Sequence, residues 1–310
     1  MAEKNIKYSF MNHWKTLPYK EIPNFRDFYY EDKTNYAYYQ SWEQILNYTL
    51  GCGFEGIEIW PMAAPYIETF GSLKDFKDYV NSKGLGISGS FCGMGPGHIK
   101  ENIPACVESV KKTVDLVAAV GGRHLNICPG VNYGEGGGPL TEDGIRNTID
   151  CLNEMGRYAE DHGVLMGIHN EFFCIMNKDN HKRIIEATDP KYVHYCLDTA
   201  QVSIIGEDLC TFYDDYHDRI VTFHLKDTAS PKMPDEVRYA ASNPEIQDDG
   251  WRWFWEPGLG VLDFPGLFKL MKKHGFKGWA TVETDGSPDL LASMAHSSYY
   301  IHTVLDKIYR

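Results

Sequence analysis

Apolar and polar positions along the chain follow two rhythms. Short runs rich in β-branched and aromatic residues recur between longer stretches whose apolar residues lie three or four apart, the pattern of buried strands joined by amphipathic helices. Eight runs read as strands: KYSFMNHW (7–14), GFEGIEIW (53–60), LGISGSFCG (85–93), RHLNICPG (123–130), VLMGIHNE (164–171), VHYCLDTA (193–200), IVTFHLKD (220–227) and GWATVETD (278–285). A helix is predicted over 101–120, where Val107, Val110, Val114, Val117 and Val120 share one face before Gly121 and Gly122 end it. Further helices are predicted over 41–50, 71–82, 141–162, 181–188, 208–218, 264–274 and 287–307. Strand and helix alternating eight times predict a single α/β domain over 1–310, a closed parallel (β/α)8 barrel. The echo of Gly53, Phe54 and Gly56 in Gly275, Phe276 and Gly278 hints at repeated units without proving duplication.

Two segments exceed ordinary connections and are expected as insertions after the first and seventh strands, 15–40 and 228–257. The first carries Tyr29, Tyr30, Tyr36, Tyr38 and Tyr39, and the second Trp251, Trp253, Phe254 and Trp255. Such rings can stack on a sugar or aryl group, or bury the insertion or an oligomer contact. The Gly-rich stretch 133–138 lacks the lysine of a phosphate loop and reads as a flexible connection.

Composition narrows the function. With 310 residues and 43% hydrophobic content the chain can bury a substantial core. Thirty basic side chains against 43 acidic give a net charge of −13, a field that repels nucleic acid and anionic membranes. The start, MAEKNIKYSF, does not read as a signal peptide, and no run approaches the roughly 18 apolar residues of a membrane span, so a cytoplasmic protein is expected. The eight cysteines include no CxxC spacing and are expected as reduced, mostly buried thiols.

In a parallel barrel the chemistry sits at the carboxyl ends of the strands. There the fifth run carries His169 and Glu171, the sixth Asp198, the seventh His224 and Lys226, and the eighth Glu283 and Asp285. Strand alternation aims His169 with Glu171, and His224 with Lys226, into the same mouth. Singly, each reads as a helix cap, a rim charge or a structural histidine. Together they concentrate negative charge that calls for a cation. Three carboxylates and one imidazole suit Mn2+, with Mg2+ or Co2+ as alternatives, better than structural zinc. A metal-free alternative pairs Lys226 with Glu171 and Glu283 across the mouth.

Asp198, the FHLKD motif with His224 and Lys226, and the segment GLGVLDFPGLFKLMKKHGFKGWATVETD ending near Glu283 resemble the xylose isomerase-like TIM barrels, the sugar phosphate isomerase/epimerase superfamily. The resemblance covers nearly the whole chain and implies Asp198, His224 and Glu283 as metal ligands. Many relatives carry the ligand Glu where His169 stands. Glu171 is therefore expected as the fourth ligand and His169 as the proton-transfer group, with the exchanged assignment as the alternative. The resemblance implies metal-assisted enolisation of a keto-sugar, with Lys226 holding the enediolate. Within the superfamily the chain is similar, in size and extra loops, to the large subunit of bacterial C-glycoside deglycosidases. That likeness implies a lyase expelling the aglycone of a 3-keto C-glycoside, helped by a smaller protein subunit. The alternatives are a keto-sugar isomerase or epimerase, an inosose-type dehydratase, or a noncatalytic sugar-binding barrel, any of them able to form a homo-oligomer.

Overall fold

Eight parallel strands close into one barrel in chain order: β1 (Ile6–Met11), β2 (Gly56–Ile59), β3 (Gly86–Gly93), β4 (His124–Cys128), β5 (Leu165–His169), β6 (Val193–Asp198), β7 (Ile220–Leu225) and β8 (Gly278–Val282). Closure is made by β8 against β1, with Ile6 opposite Gly278 and Phe10 opposite Val282. The computed structural model describes residues 4–11, 35–130, 140–172, 174, 178–229, 253–284, 287 and 289–310.

Around the strands run α1 (Asn35–Gly51), α2 (Ala64–Phe70), α3 (Leu73–Ser82), α4 (Ile103–Val120), α5 (Glu142–Asp161), α6 (Lys178–Ala187), α7 (Thr199–Ile204), α8 (Leu209–Tyr216), α9 (Phe264–His274) and α10 (Leu290–Tyr300). The starts of several are fixed by side-chain caps: Ser72 accepts from the Asp75 N–H, Thr141 from Gly144, Asp263 from Gly266 and Asp289 from Ala292. The valine face predicted on α4 is buried, and Gly121 ends the helix with φ 76°. The two echoing glycines, Gly53 and Gly275, also have positive φ, and each precedes a buried phenylalanine.

Boundaries differ from the sequence pattern in several places. Thr199 and Ala200, expected in the sixth strand run, instead begin the unpredicted helix α7, which Asp198 caps. Residues 35–40, expected within the first insertion, belong to α1, because aromatic residues only weakly oppose helix. An extra helix, α2, precedes α3 and carries Pro65 in its first turn, where a missing N–H costs nothing. The last predicted helix is α10 followed by a π-helical turn, Ile301–Leu305. Residues 15–34, most of the second insertion including Trp251, the stretch 133–138, Asp285 and the side chains of Tyr29, Tyr30, Tyr36, Tyr38 and Tyr39 lie outside the described residues. All eight cysteines are free thiols. No described helix is long and apolar enough to cross a membrane.

One irregularity matters for the site. The β2–β3 register shifts between Ile57 and Glu58, so that Ile57 faces Ile87 while Glu58 faces Gly89. The extra residue, Ser88, donates its hydroxyl to the Ile57 carbonyl at 3.1 Å. Such a bulge re-aims the side chains beside it.

Candidate metal centre

Each described polar residue expected at the barrel mouth is brought there by the end of its strand. His169 and Asp198 are the last residues of β5 and β6, His224 lies one residue before the end of β7, and Lys226 and Glu283 follow β7 and β8 directly. Register places Asp198 beside His224. Ligand atoms of His169, Asp198, His224 and Glu283 all lie within 4.8 Å of one another. Glu171 stands outside that group, with its Oε1 3.2 Å from His169 Nδ1 and its Oε2 accepting a hydrogen bond from Gln201 Nε2.

Asp198 has two jobs. Its Oδ1 caps α7, accepting from the Ala200 and Gln201 N–H groups at 3.0 and 2.9 Å. Its Oδ2 faces the site, 3.2 Å from His169 Nε2 and 3.1 Å from Lys226 Nζ. The cap reading and the ligand reading of this residue are therefore compatible, one oxygen each. Lys226 also reaches Glu283 Oε2 at 2.9 Å, and the Phe254 ring lies 4.6 Å from its ammonium. Phe254, from the second insertion, is buried with Phe172, Ala200, Ile204 and Ile205, so this ring closes the site rather than projecting from it.

Glu58 and Asn126 were not predicted. Glu58 is buried beneath the mouth, both of its oxygens 3.1 Å from His224 Nε2. It also accepts from Asn126 Nδ2 at 3.0 Å and Thr281 Oγ1 at 2.9 Å. This places the imidazole proton on Nε2 and turns Nδ1 toward Glu283 Oε2, 2.6 Å away. The available signal was a charged residue inside an apolar strand, Glu58 between Ile57 and Ile59. A reading confined to strand ends passes over it.

Burial and charge oppose each other throughout. Burial pushes the His169 imidazolium down, but the Glu171 charge and the hydrogen bonds of Asp198 and Glu171 outweigh it and raise the group to about 10. Burial likewise lowers His224, and Cys196, Glu58 and Glu283 reverse the direction. Burial raises Asp198, and Lys226 and His169 hold it below its ordinary value instead. Glu171 stays raised, its burial outweighing the attraction of His169 and Lys226.

With neutral imidazoles, four carboxylates (Glu58, Glu171, Asp198 and Glu283) share this buried pit with one ammonium, Lys226. An excess of buried negative charge requires protons or a cation. The Nδ1 atoms of His169 and His224 are buried and face carboxylate oxygens, Glu171 Oε1 at 3.2 Å and Glu283 Oε2 at 2.6 Å, and both Nδ1 atoms and Glu283 Oε2 lack a well-formed hydrogen bond, an arrangement that a cation between nitrogen and oxygen donors would satisfy. The donor set therefore fits a divalent ion.

Residues 47–299 match the family described as xylose isomerase-like TIM barrel. The inosose dehydratase of Clostridium beijerinckii is 28% identical over 52% of this chain, and that of Bacillus licheniformis 27% identical over 49%. The chain spans about half the length of these curated relatives, 52% and 50%. Among solved structures, a zinc-bound IolI protein aligns with a TM-score of 0.70 at 16% identity, covering 98% of this chain and 99% of that one. A sugar phosphate isomerase/epimerase from Parabacteroides distasonis aligns with a TM-score of 0.67 at 20% identity, covering 100% and 97%. These structural likenesses speak for the fold, and the family match extends over most of the closed barrel and all four of its clustered donors. The chain belongs to the xylose isomerase-like TIM barrel family.

Proposed function

We propose that this protein is a divalent-metal-dependent enzyme that enolises a cyclic keto-polyol and eliminates water from it, the reaction type of an inosose dehydratase. The observation that carries this reading is the clustering of His169, Asp198, His224 and Glu283 ligand atoms within 4.8 Å. The inosose dehydratase relatives favour dehydration over the C-glycoside cleavage expected from the loops.

Two imidazoles and two carboxylates form a mixed nitrogen and oxygen set, suited to Mn2+, Co2+ or Zn2+, and Mn2+ is the ion we propose. When bound, the ion supplies Lewis-acid polarisation of the substrate's carbonyl or adjacent hydroxyl. The clustering supports His169 as fourth ligand and leaves Glu171 for proton transfer, exchanging the two roles expected from the sequence. Exposure supports this exchange: Glu171 retains 8% of its surface while His169 has none, and a base must reach the substrate whereas a ligand need not. Glu171, oriented by Gln201, takes the proton from the carbon beside the carbonyl. Lys226 donates to the oxyanion that forms. The proton returned by Glu171 to the β-hydroxyl lets that group leave as water.

The test is incubation of the metal-analysed protein with cyclic keto-polyols, free keto-sugars and 3-keto C-glycosides in deuterated solvent, followed by product mass spectrometry. Loss of water supports the proposal. Deuterium uptake without bond cleavage would make the protein an epimerase or isomerase, and aglycone release a C-glycoside lyase. Asp198→Asn, Glu283→Gln and His169→Gln are expected to lose bound metal. Glu171→Gln should keep the metal and lose deuterium exchange. Metal loss from Glu171→Gln with retention in His169→Gln would restore the sequence-based assignment.

A further inference from the structure

The opposite end of the barrel holds a cavity of ≈ 510 Å³, lined by residues that precede or begin β1, β4, β5, β7 and β8. Its charged lining is Lys4, Lys7, Arg123 and Lys277, and no Asp or Glu lines it among the described residues. Over the whole chain acidic residues outnumber basic ones, 43 to 30, so this is a local reversal of sign. Lys4 is paired with Glu55. Lys7, Arg123 and Lys277 are exposed at the strand starts, and no ion pair to a described residue neutralises any of them. His124, also on the wall, is buried and carries no charge at neutral pH, since burial pushes it down to about 4.

Trp279 adds a different surface. Its half-buried ring lines the cavity, and the Lys7 ammonium lies 5.8 Å from the ring centroid. A flat aromatic wall beside three cations that no described acid pairs suits a ligand with a polyanionic part and a planar or apolar part. The volume falls in the range of small-molecule sites, about 300–1,000 Å³, well beyond what one monovalent ion needs. From β8 residue Trp279 to Glu283 the chain advances four residues, about 13 Å along a strand, so this cavity is separate from the metal centre.

We propose that the amino-terminal end of the barrel is a binding site for a diphosphate group, held by Lys7, Arg123 and Lys277 with Trp279 against the remainder of the ligand. The shared chemistry is the diphosphate, whether free or part of a nucleoside diphosphate. Such a site lies at the barrel end remote from the reacting groups and does not depend on the assignment of the metal ligands.

The test is titration of the full-length protein with pyrophosphate and with ADP, followed by calorimetry and tryptophan fluorescence at roughly physiological salt, where weak surface attraction is largely screened. Binding at or below about 1 mM is expected, weakened at least ten-fold in the Arg123→Ala/Lys277→Ala double variant. The melting temperature of the double variant without ligand should match that of the parent, both residues being exposed. Asp198→Asn should bind the diphosphate as the parent does. Equal affinity for both probes identifies free diphosphate. Tighter ADP binding that Trp279→Leu removes identifies the nucleoside form. Absence of binding, unchanged affinity in the double variant, or loss of binding in Asp198→Asn, which would assign the anion to the metal centre, would each overturn the proposal.

Discussion

The proton on His224 is placed by Glu58, which Asn126 holds through a donated hydrogen bond, and both residues lie inside the barrel rather than at its rim. A carboxylate on the far nitrogen of a ligating imidazole fixes the tautomer and raises the basicity of the near one. Burial pushes the Glu58 carboxyl up, and the charge and hydrogen bond of His224, with the hydrogen bonds of Thr281 and Asn126, outweigh it and keep the group ionised. Glu58→Gln preserves shape but removes the charge. It should weaken Mn2+ or Co2+ affinity by about ten- to a hundred-fold, measured by competition with a chelating dye, and change the visible spectrum of the Co2+ form. Unchanged affinity would reduce Glu58 to a packing role. At this scale Asp198, His224, Lys226 and Glu283 were legible because each ends an apolar run. Glu58 and Asn126 were not, because inward aim inside a strand depends on the register of its neighbours.

Register is decided between elements. The bulge that sets Glu58 opposite Gly89 works only because Gly89 has no side chain: a Cβ there would meet the His124 carbonyl oxygen at 2.0 Å. Gly89→Ala must therefore spread β3 from β4 or undo the bulge. The expected result is a loss of about 2 kcal/mol or more, read as a lower denaturation midpoint, together with weakened metal binding. A variant with the parent midpoint would show that the strand pair relaxes freely. The loop after β7 depends on a similar device. Asp227 accepts from the N–H groups of Thr228, Gly258, Gly260 and Leu262, and a Cβ on Gly260 would lie 2.3 Å from its Oδ1. The Gly-x-Gly motif is thus a cradle for a buried carboxylate. The strand and helix order was legible from apolar spacing, whereas α2 and the π-helical turn arise where local caps and packing override that spacing.

For the molecule as a whole, two buried histidines outside the donor cluster are expected to contribute to the loss of stability in acid. Burial pushes His124 down to about 4 and, together with the Lys182 charge, His181 down to about 3. His181 lies within a cluster formed with Tyr195 and Phe212. Both are neutral in the fold, while in the unfolded chain they take up protons near pH 6.5. The unfolded state therefore binds more protons below that pH. Their contribution is complete above it, and is lost as pH falls toward the folded values, about 2 kcal/mol each by about pH 5. The melting temperature of the parent should consequently fall more steeply between about pH 7 and 5 than that of His124→Asn or His181→Asn. Parallel slopes would rule these residues out. The same scale holds a separation of charge: a chain of net −13 keeps Glu58, Glu171, Asp198 and Glu283 buried toward one barrel end and a basic cavity at the other, which no total charge could reveal.

By itself the sequence determined the eightfold alternation, and with it the barrel, because apolar periodicity is a local property each strand and helix carries in its own residues. It also determined that acids and imidazoles would end neighbouring strands. Only the tertiary structure decided which of His169 and Glu171 clusters with the other donors, that Glu58 underlies His224, and that Lys7, Arg123 and Lys277 converge. Those outcomes depend on register, bulges and closure, and they join residues that lie far apart along the chain.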